Sequence, residues 1–306
     1  MKNTLSILFA LLLCTALNAQ TYKMSLNLIK GKAYYQTMTS SIMIKQAVAG
    51  KDMNINMEMV GGIKQTVTAV ENDVYSIDVT YQSIAMKVNS ITGAIELNSE
   101  KKGALDSTMA AMFDKMKNKS FQITMDKQGK VLDIKNLESL FSGMFDGLKM
   151  PEDKKEQIKT QLMQAYGDKG FRERMQAMSG FFPGKAVAKG DTWTADGKLE
   201  GTVSLDMKTV YKLEEVTPTT YVISSTASLG TGKDKSFSTP TGIPMSFDMT
   251  GTYISKFTLD RKSCWMLEGN INQEMKGAIK MEKSEQMPEG MSIPMEVKVD
   301  MTIKGS

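Results

Sequence analysis

Twenty-seven methionines and no histidine give this 306-residue sequence its chemical character. Short methionine spacings, as in Met57-Glu58-Met59, Met109 to Met112 and the pair Met175 and Met178, suit thioether convergence on a soft ion such as Cu(I). The same residues fall on alternating or helical apolar stripes, where methionine is a flexible core filler, and no histidine or cysteine cluster stands beside them to complete a metal site. An adaptable, polarizable side chain also suits the wall of an apolar cavity. On that reading Met57, Met59, Phe141, Phe145, Met249 and Trp265 are the candidate lining residues.

The absence of histidine removes the commonest general base, the commonest metal ligand and the usual activator of a serine or cysteine nucleophile. Cys264 adjoins Trp265, so in a strand one of the two faces outward when the other faces inward. With Trp265 inside, Cys264 is expected outside and without an activating base. The acidic pairs Glu152-Asp153 and Glu214-Glu215 sit at a helix start and beside a turn, where helix-end electrostatics and solvation account for them. Gly-x-Ser-x-Gly and phosphate-loop patterns do not occur. The sequence thus nominates no catalytic residue, no metal ligand and no cofactor, and a non-enzymatic protein is expected.

The first nineteen residues have the form of a secretory signal. Lys2 supplies the positive start, Leu5 to Leu13 the apolar run, and Leu17-Asn18-Ala19 the approach to a cut after Ala19. Thr15 and Asn18 interrupt the apolar stretch before the ~18 residues a membrane span needs. An exported protein, periplasmic or secreted and not integral to the membrane, is the expectation. Residues 20–306 then retain Cys264 as their single cysteine, which leaves no internal disulfide and makes the fold depend on its core. The net charge of +4 is spread along the chain rather than gathered in a block, which argues against nucleic-acid binding.

The elements that must position these residues announce themselves by period. Met53, Ile55, Met57 and Met59 alternate with Asn54, Asn56 and Glu58, as do Tyr75, Ile77, Val79 and Tyr81 with polar neighbours. At Ser83 the phase slips to Ile84, Met86 and Val88, where a β-bulge would restore the inward face. After residue 200 the alternation continues through Val203-Leu205-Met207, Tyr221-Ile223, Met245-Phe247-Met249 and Ile293 to Ile303. Strands with one wet and one dry face indicate antiparallel sheet. Turns are expected at Glu71 to Asp73, Gly31-Lys32, Gly50 to Asp52, Gln128-Gly129 and Asp260 to Ser263.

Between the β blocks the period becomes helical. A helix from Leu105 to Lys117 is expected, then one capped by Asn136 with the stripe Leu137, Leu140, Phe141, Met144 and Phe145. Another starts at Pro151 and buries Ile158, Leu162 and Tyr166, and a last one carries Phe171, Met175 and Met178. The expected architecture is β-rich α+β: a strongly curved antiparallel sheet, or half-open barrel, with the central helices packed on its concave face. Residues 20–306 form one β-rich domain with a helical insertion at about 104–182; the alternative is two β halves, 20–135 and 185–306, joined by helices.

The segment Lys185 to Gly197, Lys-Ala-Val-Ala-Lys-Gly-Asp-Thr-Trp-Thr-Ala-Asp-Gly, follows Phe182-Pro183. It resembles a stretch in a family of exported proteins of unknown function from Bacteroidota bacteria, and the ending Asn18-Ala19-Gln20 is similar to signal usage there. Turn chemistry at Gly190-Asp191 and a strand start at Trp193 explain the motif in structural terms. A looser likeness is to the lipoprotein carriers, half-barrels with internal helices that hold acyl chains. The resemblance implies a protein of the cell envelope that binds a hydrophobic ligand or a partner protein. The alternative is a structural or assembly protein with a fully packed core.

Overall fold

The computed structural model describes residues 20–48, 50–91, 93–98, 114–141, 143–146, 151–199, 204–232, 236–238, 244–281, 283 and 289–306. Its alternating segments form long strands: β1 (Thr21–Tyr22), β2 (Ala33–Val48), β3 (Lys51–Glu71), β4 (Val74–Ser90), β5 (Gly93–Asn98), β6 (Ser120–Asp126) and β7 (Val131–Lys135). Two helices follow, α1 (Glu152–Tyr166) and α2 (Asp168–Ser179). The second β block comprises β8 (Val187–Ala188), β9 (Thr192–Leu199), β10 (Leu205–Val216), β11 (Thr220–Thr231), β12 (Ser236–Ser238), β13 (Pro244–Asp260), β14 (Met266–Met281) and β15 (Met291–Gly305).

One antiparallel sheet takes in every strand except the β1–β8 pair, in the order β7-β6-β4-β3-β2-β15-β14-β13-β11-β10-β9, with β5 beside β4 and β12 beside β13. The chain enters at the middle of this sheet, meanders to one edge, crosses through the helices to the other edge, and returns until β15 pairs with β2. The two strand blocks are therefore joined through a continuous hydrogen-bonded ladder.

The sheet is open but rolled. Ten strand-to-strand steps separate β7 from β9, which in a flat sheet would place them about 48 Å apart. Yet α2 packs against both, and a helix is only about 10–12 Å wide. The N-terminal segment makes the same point: Leu26 N–H donates to Lys127 O at 2.8 Å, and the next residue, Asn27, donates to Ser263 O at 2.9 Å. Lys127 follows β6 and Ser263 precedes β14, so two consecutive residues touch distant parts of the sheet.

Local chemistry sets the register. At the β3–β4 hairpin Asn72 and Asp73 adopt φ of 48° and 67°, the left-handed pair of a tight hairpin turn. The phase change near Ser83 is a bulge: Gly62 pairs with Ser83 but Ile63 with Tyr81, leaving Gln82 as the extra residue. Met59 then lies opposite Met86, and Met57 opposite Val88, on one face. After β13, the Asp260 carboxylate accepts from the Ser263 N–H at 2.7 Å, the Ser263 hydroxyl at 2.6 Å and the Lys262 N–H at 3.2 Å.

The core fills the end of the roll nearest these turns, called proximal below. Val67, Ile123, Leu213, Ile223, Leu259 and Ile303 have no exposed surface, each contributing about 1.5–3 kcal/mol through burial. Met24, Leu26 and Leu28 of the N-terminal segment enter this core, as do Phe181 and Phe182 beyond α2. The Phe181 ring stacks on Phe257 with centroids 5.4 Å apart.

The helical stretch departs from expectation at Asn136. That residue takes a left-handed conformation (φ 61°) with no side-chain capping bond, and only a 3-10 turn, Leu137–Leu140, follows. Leu137, Leu140 and Met144 are buried there without a helix to carry them, because the short connection leaving β7 drops straight onto β6. Expectations for residues 1–19, for Leu105 to residue 113 and for the side chains of Ile158, Leu162 and Tyr166 lie outside the described residues. Glu152 and Asp153 do stand in the first turn of α1, where they favour the positive helix end.

The seam depends on helix α2 and one glycine. Val131 N–H donates to Gln176 Oε1 at 2.9 Å, Arg172 donates to Leu132 O at 2.8 Å, and the Ser179 hydroxyl donates to Gly129 O at 2.6 Å. Gly129 has φ 73°, and a Cβ there would lie 2.1 Å from Ser179 O. Gly129→Ala is expected to destabilise the fold by about 1–3 kcal/mol, with hydrogen exchange accelerating first in β7 and α2.

Burial raises the pKa of Asp260, but the Ser263 hydroxyl and the two N–H donors outweigh it and hold the carboxyl below its ordinary range. Its stabilisation is complete above the unfolded-state value and fades as pH falls through the lower folded value. Asp260→Ala should lower Tm at neutral pH by about 2–4 °C and remove this group's share of the acid-limb slope, both read by thermal melts across pH.

Candidate functional site

Side chains that alternate along a strand and match across a ladder share one face. Following the registers, the inward positions of β2 are Tyr34, Gln36, Met38, Ser40, Ile42, Ile44 and Gln46, and those of β3 run from Val67 and Gln65 to Met57, Ile55 and Met53. On β15 they run from Ile303 to Ile293, on β14 from Ile271 to Ile279, on β13 from Leu259 to Met245, and on β10 and β11 from Leu213 and Ile223 to Met207 and Leu229. No Lys, Arg, Asp or Glu occupies any of these positions. Lys298–Glu274 (2.9 Å), Lys280–Asp248 (3.3 Å) and Lys276–Glu296 (3.6 Å) all lie on the opposite, outer face. Such exposed pairs add little stability, but they keep charge off the interior.

The inner face has three zones. The proximal zone is the packed core described above, and against α2 it encloses a cavity of about 100 Å³ lined by Leu26, Gln36, Met38, Met175, Met178 and Trp265 among others. The distal zone is apolar and rich in methionine. Met207, Ala227, Leu229, Met249 and Met275 form a buried cluster there. Ile42, Ile44, Met53, Ile55, Met57, Met59, Val297 and Val299 beside it are half-buried.

Between these zones runs a band of neutral polar groups. The hydroxyls of Ser225 and Ser255 lie 2.7 Å apart in a hydrogen bond, and Gln65 Nε2 donates to Gln36 Oε1 at 3.0 Å. Burial pushes the Tyr253 phenol far above its ordinary pKa, with a Ser255 hydrogen bond opposing and Tyr211 adding to the rise. Burial likewise raises Tyr211, against a weak opposing contact from Thr209. Both phenols stay protonated and neutral at physiological pH. Thr209 is 3% exposed, yet its Oγ1 forms no hydrogen bond of ordinary geometry: the Tyr211 phenol approaches without closing one. A buried hydroxyl left in that state costs about 1–3 kcal/mol.

The residues nominated from sequence do not converge. Trp265 lines the small proximal cavity, Phe141 packs on the proximal core, and Phe145 is half-buried beyond the 3-10 turn. Met249 belongs to the distal cluster, while Met57 packs with Met86 and Val88 and Met59 is half-buried beside them. Met57, Met59 and Met249 thus share the distal zone. The neutral band was missed, although its signal was present: Ser225, Ser255 and Thr209 occupy inward parity among apolar residues.

Cys264 corrects the strand argument made for it. It is 4% exposed and its neighbour Trp265 is 8% exposed, because Cys264 sits before β14 with φ 53° and two-residue alternation does not govern a left-handed turn. Burial pushes its thiol up to about 11. Among the described residues no three His, Cys, Asp or Glu side chains gather as a metal site. At the distal rim an open depression of about 440 Å³ includes Lys45, Asp52, Lys276 and Glu296, charges of both signs that offset one another.

A rolled, unclosed antiparallel sheet with an uncharged interior is the class of protein that this geometry defines. The chain belongs to DUF6263, a family of unknown function, which it matches over residues 72–266. The Lys189–Trp193 motif lies inside that span: Gly190 has φ 92°, Asp191 Oδ2 accepts from Ala188 N–H at 2.8 Å, and the Trp193 indole donates to Phe181 O at 3.0 Å. No curated protein matches the sequence. Among solved structures the chain is similar to part of lipovitellin, a structure concerned with lipid–protein interactions, at 9% identity and TM-score 0.48, covering 92% of this chain and 25% of that one. It spans about a quarter of lipovitellin's length. An outer membrane channel from Pseudomonas putida F1 aligns at 6% identity and TM-score 0.24, over 92% of this chain and 97% of the channel. Among the described residues no helix is long and apolar enough to cross a membrane.

A thiol so placed should be inert. In the protein of residues 20–306, Cys264 is expected to resist a disulfide reagent near neutral pH while folded and to titrate as one thiol per chain in denaturant. Rapid reaction in the native state would contradict the burial assigned to it.

Proposed function

We infer that the protein is an exported, non-enzymatic carrier that holds the acyl chain of a lipid against the distal zone of its inner face. The observation that carries this reading is the continuous apolar surface of Ile42, Ile44, Met57, Met59, Val297 and Val299, left half-buried beside a buried methionine cluster. Apolar surface facing water is unfavourable by about 25 cal/mol per Å², and large patches of it mark binding sites. Methionine suits such a wall because it reshapes to fit chains of varied form.

The proximal zone is not the site. Its enclosed cavity of about 100 Å³ falls well below the ~300 Å³ at which ordinary ligand pockets begin. That dense packing is also what an assembly protein without a ligand would show. The non-enzymatic part of the reading is supported by the buried thiol and phenols, whose pKa values are driven away from neutrality rather than toward it. Export is supported by the signal-like first nineteen residues.

Delipidated protein titrated with diphenylhexatriene, an apolar probe without a headgroup, should show saturable fluorescence enhancement. Val297→Glu, which places a charge in the distal zone, should weaken it by about ten-fold or more with the circular dichroism spectrum unchanged. No enhancement, together with native mass spectrometry showing no co-purified lipid, would leave the assembly reading in its place.

A further inference from the structure

Resting on the carrier reading, the chemistry of the neutral band specifies what kind of lipid the inner face accepts. The inward positions of β2, β3, β10, β11 and β13 to β15 carry no charge, so an ionised headgroup drawn inside would lose water without gaining a counter-charge. The same face does offer hydrogen bonds, and it offers them together. Thr209 pairs with Ala227 and Tyr211 with Ser225 across the β10–β11 ladder, Ser225 pairs with Ser255 and Ala227 with Tyr253 across β11–β13, and Gln273 follows opposite Tyr253 on β14. This cluster adjoins the distal methionines, since Tyr253 packs against both the proximal core and the distal cluster.

Thr209 supplies the independent sign of a missing partner. Its hydroxyl is almost wholly buried and unsatisfied, and groups in that state are rare in folded proteins unless a bound molecule completes them. Ala195 and Ala227 flank it on the neighbouring strands, and their small side chains leave its approach less crowded than larger residues would.

We propose that the ligand is an uncharged amphiphile of the acylglycerol type. Its chain lies along the distal methionines, and an ester or hydroxyl group bonds to Thr209 and the Ser225–Ser255–Tyr253 cluster. Free fatty acids and phospholipids are disfavoured because their charged heads find no partner on the inner face.

The test compares monoolein, oleate and diphenylhexatriene on the full mature chain at about pH 8, where a free fatty acid in water is ionised. Monoolein should bind at least about ten-fold more tightly than oleate. Thr209→Val, nearly the same shape without the hydroxyl, should weaken monoolein several-fold and leave diphenylhexatriene unchanged. Gln273→Lys, which supplies a counter-charge, should raise oleate affinity and thereby tests the point through a second position. Equal binding of oleate and monoolein, with both substitutions silent while diphenylhexatriene still binds, overturns the headgroup assignment and leaves the carrier reading intact. Failure of diphenylhexatriene to bind at all overturns both.

Discussion

Everything in this fold depends on how the two free edges of one large sheet are satisfied. An edge strand presents unpaired N–H and C=O groups that must find partners or water. Here the sheet rolls until β7 and β9 approach, and α2 lies in the remaining gap. Gln176 takes the Val131 N–H and Arg172 takes the Leu132 carbonyl on one side, while the Trp193 indole reaches Phe181 O on the other. The topology makes this arrangement natural, since the chain must cross from one edge to the other between β7 and β9, and the crossing segment is the one that carries the helices. With the seam held, Leu26 and Asn27 can bond to separate parts of the sheet at once, and the core has walls on all sides.

Rolling also sorts polarity. Charges that alternate outward face water in cross-strand pairs, and the inward set is neutral from one edge to the other. The two ends of the interior then differ in what fills them. Near the turns, the N-terminal segment, Phe181, Phe182 and α2 supply enough apolar bulk to pack the space solid. Away from the turns the described residues bring no comparable filler, and Met57, Met59 and Val297 remain half-buried. The buried hydroxyls of Thr209, Ser225 and Ser255 stand at the border between these regimes. Polar groups there are out of place in a solid core and well placed beside an amphiphile.

Much of this was legible in the chain because a period of two is a local property. Met53 to Met59 and Tyr75 to Tyr81 declare their strands, and the switch to Ile84, Met86 and Val88 locates the bulge to within a residue of where Gln82 stands unpaired. Turn chemistry at Asn72-Asp73, Gly129 and Asp260 is equally local. Reasoning failed where a residue leaves regular structure: Cys264 escapes alternation through its left-handed φ, and Asn136 opens a single 3-10 turn rather than a helix. The inward Met24, Leu26 and Leu28 also alternate, yet they form no ladder of the main sheet. They read as strand-like only once the roll supplies both Lys127 and Ser263 as partners.

The sequence by itself determined which side chains share a face, that the inward set is neutral, and that methionine dominates it, since all three follow from the identity of every second residue. Which strands neighbour one another, that the two edges meet over α2, and that one half of the interior is solid while the other stays open were decided by tertiary structure alone. Those properties arise from contacts between residues more than a hundred positions apart, such as Ile42 with Val299, and no local pattern records which distant strand will complete a ladder.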